Sequence, residues 1–368
     1  MTSLRASEKG LEIVNSARIR RGWSKSSDAW ADLAKVSSGT LKRFWQGKAI
    51  RSDSFQEICH AIGVYSWIDI ADFNSSENES FKSDIAAHFI TGNPILDPKL
   101  FFGRDAGIRR IFSILNRHPL QNIAVMGKKR SGKTSLLHYI SKITKIHPEN
   151  LRADQKSHWL KNSEAYNWIF IDFQDRRMMN QNKLLGYILS QMGLQDEHQL
   201  DLELFMEIFS SNIKKPTVIL FDEIDGAIQP NSPLDDPFWE SLRSLGTNHS
   251  QGNLSFVLAS SSLPSELAHS TGYISPFFNI FGHIIKLGPL TETEAYELMR
   301  SSPIPFSSED EKWIISESQC WPLLLQILCS ERLFSLEESE KEGTYEGFDW
   351  QAQGLMEIER FRYLLDSN

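Results

Sequence analysis

Eight consecutive residues carry the densest chemical signal in the chain: Gly127-Lys128-Lys129-Arg130-Ser131-Gly132-Lys133-Thr134. Their spacing fits G-x-x-x-x-G-K-[ST], a loop that wraps phosphate groups. The glycines let the backbone curl until successive N–H groups face one anion. A helix starting at Lys133 adds the positive end of its dipole. Lys133 is placed to neutralise β- and γ-oxygens, and the Thr134 hydroxyl to reach magnesium. Gly127 through Ser135 are therefore the expected phosphate set. A second constellation follows at Thr217-Val218-Ile219-Leu220-Phe221-Asp222-Glu223-Ile224-Asp225. An apolar strand ending in two carboxylates sets both at the C-terminal edge of a sheet, where ligands sit in open α/β folds. Asp222 would hold magnesium through water, and Glu223 would orient and deprotonate an attacking water. The ligands implied are ATP and Mg²⁺, and the chemistry is hydrolysis of a phosphoanhydride. Other chemistry finds no support. The ten histidines are scattered without H-E-x-x-H spacing, and no G-x-S-x-G turn occurs.

Strands alternating with helices would position these groups. Apolar runs at 123–126, 168–172, 217–221, 254–259 and 283–287 read as strands. Amphipathic segments at 105–116, 133–144, 181–192, 202–213 and 237–245 read as the helices between them. That alternation implies a parallel sheet covered on both faces. Beyond Leu287 the pattern is helical: Thr291 caps 292–299, and Ser307 or Ser308 caps a segment holding Trp313, Ile314 and Ile315. The first segment reads as short helices. Leu11, Ile13, Val14, Ala17 and Ile19 make one stripe, and Ser27, Ser37 and Asp53 are caps for three more helices. Asn74 to Ser80 is small and polar, a linker composition.

The two motifs with an extra strand between them resemble the additional-strand, catalytic-glutamate class of P-loop NTPases. The resemblance implies that strand 254–259 inserts between the loop strand and the acidic strand. It also implies that Ser260, with Ser261 beside it, senses the γ-phosphate. Phe101-Phe102-Gly103-Arg104 resembles the F-x-G-R motif of STAND and origin-recognition-type AAA+ ATPases, which lies beside the adenine. The glutamate that usually follows it is not evident. Cys320-Trp321-Pro322-Leu323-Leu324-Leu325 is similar to the G-x-P-L-x-L lid motif of STAND proteins, with Cys320 in place of glycine and Pro322 near base and sugar. Arg243, after a helix that follows the acidic motif, is a candidate to reach a neighbouring subunit. Residues 27–64 resemble a Cro-type helix-turn-helix through Trp30-Ala31, Val36-Ser37, Leu41, Gly47-Lys48 and Ala61-Ile62-Gly63-Val64, with Lys35 at the turn glycine. Docked in a major groove, that motif would present Ser38, Lys42, Arg43 and Gln46 to bases or phosphates, and Arg20, Arg21, Lys25 and Lys48 to the backbone.

The expected fold is thus α/β. It comprises an all-α helix-turn-helix domain at 1–73, a linker at 74–98, a P-loop ATPase core with a parallel sheet at 99–288, and a helical lid at 289–368. Charge distribution agrees with a polyanion at the head. Met1 to Arg51 holds eleven Lys or Arg against four Asp or Glu, roughly +7 on a chain of net charge −8. With 368 residues, 40% hydrophobic and 23% charged, the chain can bury full cores without disulfides. Cys59, Cys320 and Cys329 read as reduced thiols. No apolar run approaches the roughly 20 residues of a membrane span, and MTSLRASEKG lacks an apolar leader core, so a cytoplasmic location is expected. The leading function is an ATP-driven signalling switch with a DNA-binding or targeting head. The alternatives are an ATPase that assembles as a homo-oligomer on DNA, and a protein adaptor holding ATP as a structural ligand.

Overall fold

The computed structural model describes residues 3–20, 22–62, 70–72, 88–194, 200–342 and 349–366. The stretch 74–80 read as linker, Arg21, and Gly63-Val64 of the head pattern lie outside these residues. The chain forms two compact units, residues 1–87 and 88–368.

In the first unit β1 (Ser3–Leu4) pairs antiparallel with β2 (Ile50–Arg51). Around them lie α1 (Glu8–Arg20), α2 (Asp28–Leu33), α3 (Ser38–Trp45) and α4 (Ser52–Ala61). Val14, Trp30, Leu41, Phe44, Phe55 and Ile58 share one buried core. The Trp30 indole N–H donates to the Ile58 carbonyl at 3.0 Å. The expected α1 stripe is narrower than read: Leu11, Val14 and Ala17 pack inward at spacings of three, whereas Ile13 and Ile19 stand off that face and are exposed. Ser37 caps α3 by accepting from the Thr40 N–H. Ser27 occupies the cap of α2 without a side-chain bond. Asp53 is not a cap, because β2 turns directly into α4 and Arg51 takes that position. Lys35 between α2 and α3 has φ +50°, in the left-handed region.

The second unit contains β3 (Ile123–Gly127), β4 (Asn167–Asp172), β5 (Thr217–Asp222), β6 (Leu254–Ser260) and β7 (His283–Leu287). All neighbours are parallel, in the order β4-β5-β6-β3-β7. β6 therefore inserts between the loop strand and the acidic strand, as expected. Period-two alternation splits the strands between two cores. Ala124, Ile171, Phe221 and Leu258 face one core, which also holds residues of α7 (Gln181–Gln191), α8 (Leu202–Asn212) and α9 (Asp236–Ser244). Val125, Leu220 and Val257 face the other, with α5 (Asp105–Leu115) and α6 (Lys133–Ile143). A third core joins α10 (Glu292–Met299), α11 (Ser308–Ser318), α12 (Pro322–Glu342) and α13 (Trp350–Glu359). Thr291 and Ser307 both form full capping boxes, with Glu294 and Asp310 respectively. Among the described residues no helix is long and apolar enough to cross a membrane.

Candidate functional site

The loop between β3 and α6 is shaped by its glycines. A Cβ on Gly127 would lie 2.5 Å from the Ser131 Oγ and 2.8 Å from the Leu287 carbonyl. Gly132 has φ +93°, a conformation that side chains resist. Its carbonyl accepts from the Leu136 N–H at 2.9 Å, closing the first turn of α6. No described acceptor takes the backbone N–H of Gly132, Lys133 or Thr134. Those donors, at a helix N-terminus, form a ready anion cradle.

Lys133 is buried, and its Nζ donates to the carbonyls of Gly127 at 2.9 Å and Lys128 at 3.2 Å. Burial lowers its pKa, opposed by Glu223, Asp225 and Asp222. Asp222 ends β5 at 2% exposure, with Oδ1 buried and unpartnered. Burial pushes its carboxyl up to about 6; the Thr134 hydroxyl, in hydrogen-bonding reach, pulls the other way, while Glu223 and Asp172 add to the rise. An orphaned buried carboxylate oxygen beside a threonine hydroxyl fits a hard divalent cation, which takes one or two carboxylates and shares the rest of its shell with water and phosphate. Glu223 is half-buried with φ +52°. A left-handed non-glycine residue costs on the order of 1 kcal/mol and is held here at the strand end, where such outliers mark function.

One cleft of 540 Å³ gathers most of the expected residues: Lys129, Arg130, Ser131, Gly132, Lys133, Thr134, Ser135, Asp222, Glu223, Arg104 and Pro322. That volume suits a nucleotide-sized ligand. Gly127 and Lys128 shape the loop from outside the cleft lining, Lys128 donating to the Asp366 carbonyl at 2.5 Å. Ser260 is fully buried, and its hydroxyl donates to the Ser262 carbonyl at 2.6 Å. Ser261 instead donates through both N–H and hydroxyl to Asp225. Neither serine lines the cleft. Arg243 also lies off the cleft lining, with its Nε buried and unpartnered.

Gly103 and Arg104 are both left-handed, at φ +73° and +68°. The Arg104 guanidinium donates to the carbonyls of Gly288 at 2.5 Å and Ser131 at 3.2 Å, and burial lowers its pKa to about 10. It thus ties the F-x-G-R segment to the phosphate loop. Glu294 accepts from the Arg104 N–H at 2.7 Å while also capping α10. Cys320 has φ +59°, so the position that is glycine in the lid pattern keeps its backbone geometry. Pro322 and Leu323 of α12 line the cleft.

Sequence reasoning missed several cleft residues. Asp172 ends β4 in register with Asp222, a place that its position at the end of a called strand already marked. His138 stacks on Phe170 at 4.2 Å and 9°, and its pKa is lowered, chiefly by burial. Residues 90–95 and Gln326 also line the cleft, with no motif to signal them.

The Asp222 environment carries a prediction. Its folded pKa lies above the ordinary 3.8, so ionisation is opposed by the fold on the order of 3 kcal/mol. That cost is absent below about pH 3.8 and complete above about pH 6. Asp222→Asn is therefore expected to raise the thermal midpoint of the nucleotide-free protein by a few degrees at pH 8, with a smaller gain at pH 5. The same variant should lose the magnesium-dependent part of its ATP affinity. Melting curves at both pH values and titrations with and without magnesium check the two halves.

In the head, Ser38, Lys42, Arg43, Gln46 and Lys48 are exposed, while Leu41 and Phe44 on the opposite face of α3 are buried. Arg43 donates to the Ala49 carbonyl at 2.9 Å. Lys25 sits 4.6 Å over the Trp45 ring. The side chain of Arg20, like the whole of Arg21, lies outside the described residues.

No protein-family model matches the chain. Among curated proteins it is 28% identical over 162 residues to an uncharacterized WD repeat-containing protein of Nostoc sp.. That match covers 37% of this chain and only 13% of the Nostoc protein. Among solved structures, a Walker-type ATPase of Pyrococcus abyssi is similar with TM-score 0.51 and 14% identity, over 74% of this chain and 79% of that one. The ORC2 protein of Aeropyrum pernix, in ADPNP–ADP complexes, is similar with TM-score 0.55 and 14% identity, over 74% and 72%. The chain has the P-loop NTPase fold.

Proposed function

We propose that this chain binds and hydrolyses ATP in the cleft above β3 and β5, as a molecular switch of the STAND or origin-recognition AAA+ kind. The observation that carries the reading is the convergence of Lys133, Thr134, Asp222 and Glu223 on one cleft beneath unpaired loop N–H groups. ATP is the substrate. Thr134 and Asp222 would hold Mg²⁺, which when bound neutralises phosphate charge. Lys133 shifts from the loop carbonyls to the β- and γ-oxygens. Glu223 takes the proton of the attacking water. Ser260 or Ser261 would read the γ-phosphate only after leaving its present partner. Arg104 and Pro322 flank the base side, and the lid α10–α13 closes over it. The P-loop fold shared with the Walker-type ATPase and the ORC2 protein supports the nucleotide. Phosphate release from ATP, measured with and without magnesium, tests hydrolysis. Absence of release under both conditions would leave ATP as a structural ligand only.

The head gives the switch an output. Ser38, Lys42, Arg43 and Gln46 project from α3 as a helix-turn-helix would need, and the local charge near +7 suits duplex DNA. Arg20 and Arg21 would add backbone contacts. An assembly on DNA is a second reading, in which Arg243 would reach a neighbouring copy only after its buried Nε is uncovered. With about four to six phosphate contacts, log affinity should fall with log salt at a slope near −0.9 per contact. Lys42→Ala with Arg43→Ala should flatten that slope by about two contacts. Full-length protein with ATP that binds no random duplex at low salt would sink the DNA reading.

A further inference from the structure

Residues 88–96 cross the nucleotide cleft between two anchors. At one end Phe89 is buried in the lid core, stacked on Phe306 at 6.0 Å and 27°. The Ile90 N–H donates to Gln326 Oε1 at 2.9 Å. Gln326 lies on α12 of the lid and is 5% exposed. At the other end the phosphate loop and its helix hold the segment. Arg130 donates to the Gly92 carbonyl at 2.8 Å, Ile95 N–H donates to the Ser135 hydroxyl at 3.0 Å, and Lys142 donates to the Leu96 carbonyl at 2.9 Å. Between the anchors Thr91, Asn93 and Pro94 also line the cleft.

We propose that residues 88–96 are a strap whose position is set by the nucleotide, and that Gln326 is the positioning residue that couples it to the lid. The inference rests on the ATP reading above and extends it to regulation. The cleft is lined by Pro322, Leu323 and Gln326 of the lid, by strap residues 90–95 and by the phosphate loop. If the lid moves relative to the loop, the two anchors separate or approach, and the strap cannot keep both sets of bonds unless it moves as well. Gln326 lines the cleft and accepts from the strap's Ile90 N–H through Oε1. Its carboxamide is fixed in orientation before any ligand arrives. Such preorganisation aids binding by lowering what must be ordered on association.

Hydrogen exchange of the full chain, with and without ATP and magnesium, tests the proposal, with ATP binding measured by calorimetry on the same samples. ATP should slow exchange at Ile90, Gly92 and Ile95 about tenfold or more. Gln326→Met keeps the length and removes the acceptor. It should raise the KM for ATP about tenfold, lower kcat less than twofold, and abolish ATP-dependent slowing at Ile90 while the loop amides near Lys133 still slow. ATP binding without any change in strap exchange would overturn the proposal, as would a Gln326→Met protein that keeps the parent pattern. If that variant does not fold, the parent comparison decides alone. Failure of the parent to bind ATP would instead overturn the nucleotide reading itself.

Discussion

Glu223→Gln is expected to slow ATP turnover by about 10²–10⁴-fold while ATP still binds. The carboxamide matches the carboxylate in shape, so the left-handed turn after β5 has no reason to change. What it loses is the ability to accept a proton from water. Asp222 is not expected to take over, because it lies at the end of the strand beside the Thr134 hydroxyl, in the place proposed for the cation. Asp225 is engaged by Ser261. The variant should therefore accumulate in its ATP-bound state. Phosphate release under saturating ATP checks the rate, and a variant turning over at the parent rate would move the base elsewhere.

Lys133→Ala is expected to weaken ATP binding by about 10²-fold. The lysine is the buried cation of the cleft, and a hydrogen bond to a charged group contributes about 1.5–3 kcal/mol. Three carboxylates, Glu223, Asp225 and Asp222, act on it electrostatically, so its loss also leaves those charges uncompensated when phosphate arrives. The fold should survive, because Lys133 donates only to carbonyls of its own loop. Ligand at about 100 times its Kd stabilises a protein by about 2.7 kcal/mol. The parent should accordingly melt several degrees higher with ATP, and Lys133→Ala should show little shift at the same concentration.

The phosphate half of the cleft was legible in the sequence because its chemistry is local. Eight contiguous residues specify loop, helix start and lysine, and an apolar run ending in Asp222-Glu223 specifies a strand edge. The sheet order followed from the resemblance, and the pairing of β6 with both β3 and β5 matches it. The rest depends on residues far apart in the chain. Glu294 meets Arg104 across 190 positions, and Gln326 meets Ile90 across 236. No periodicity or spacing reports such pairs. The capping box of Thr291 and Glu294 was visible as a cap, but the second partner of that carboxylate was not. Lys35 and Cys320 illustrate the opposite case. Each stands where a related pattern has glycine, and each keeps the left-handed backbone of that position. Neither residue type signals that conformation by itself. Ser260 is placed by resemblance alone, and its hydroxyl donates to the Ser262 carbonyl of its own loop.

The most direct test is the identity of the nucleotide held by the full chain. Parent and Glu223→Gln proteins would be incubated with ATP and magnesium, separated from free nucleotide, quenched in acid, and their bound nucleotide resolved by chromatography. The cleft described here predicts ADP on the parent and ATP on Glu223→Gln, each near one per chain, with neither retained by Lys133→Ala. Empty parent protein, or ADP on the Glu223→Gln variant in the same proportion as on the parent, would contradict it.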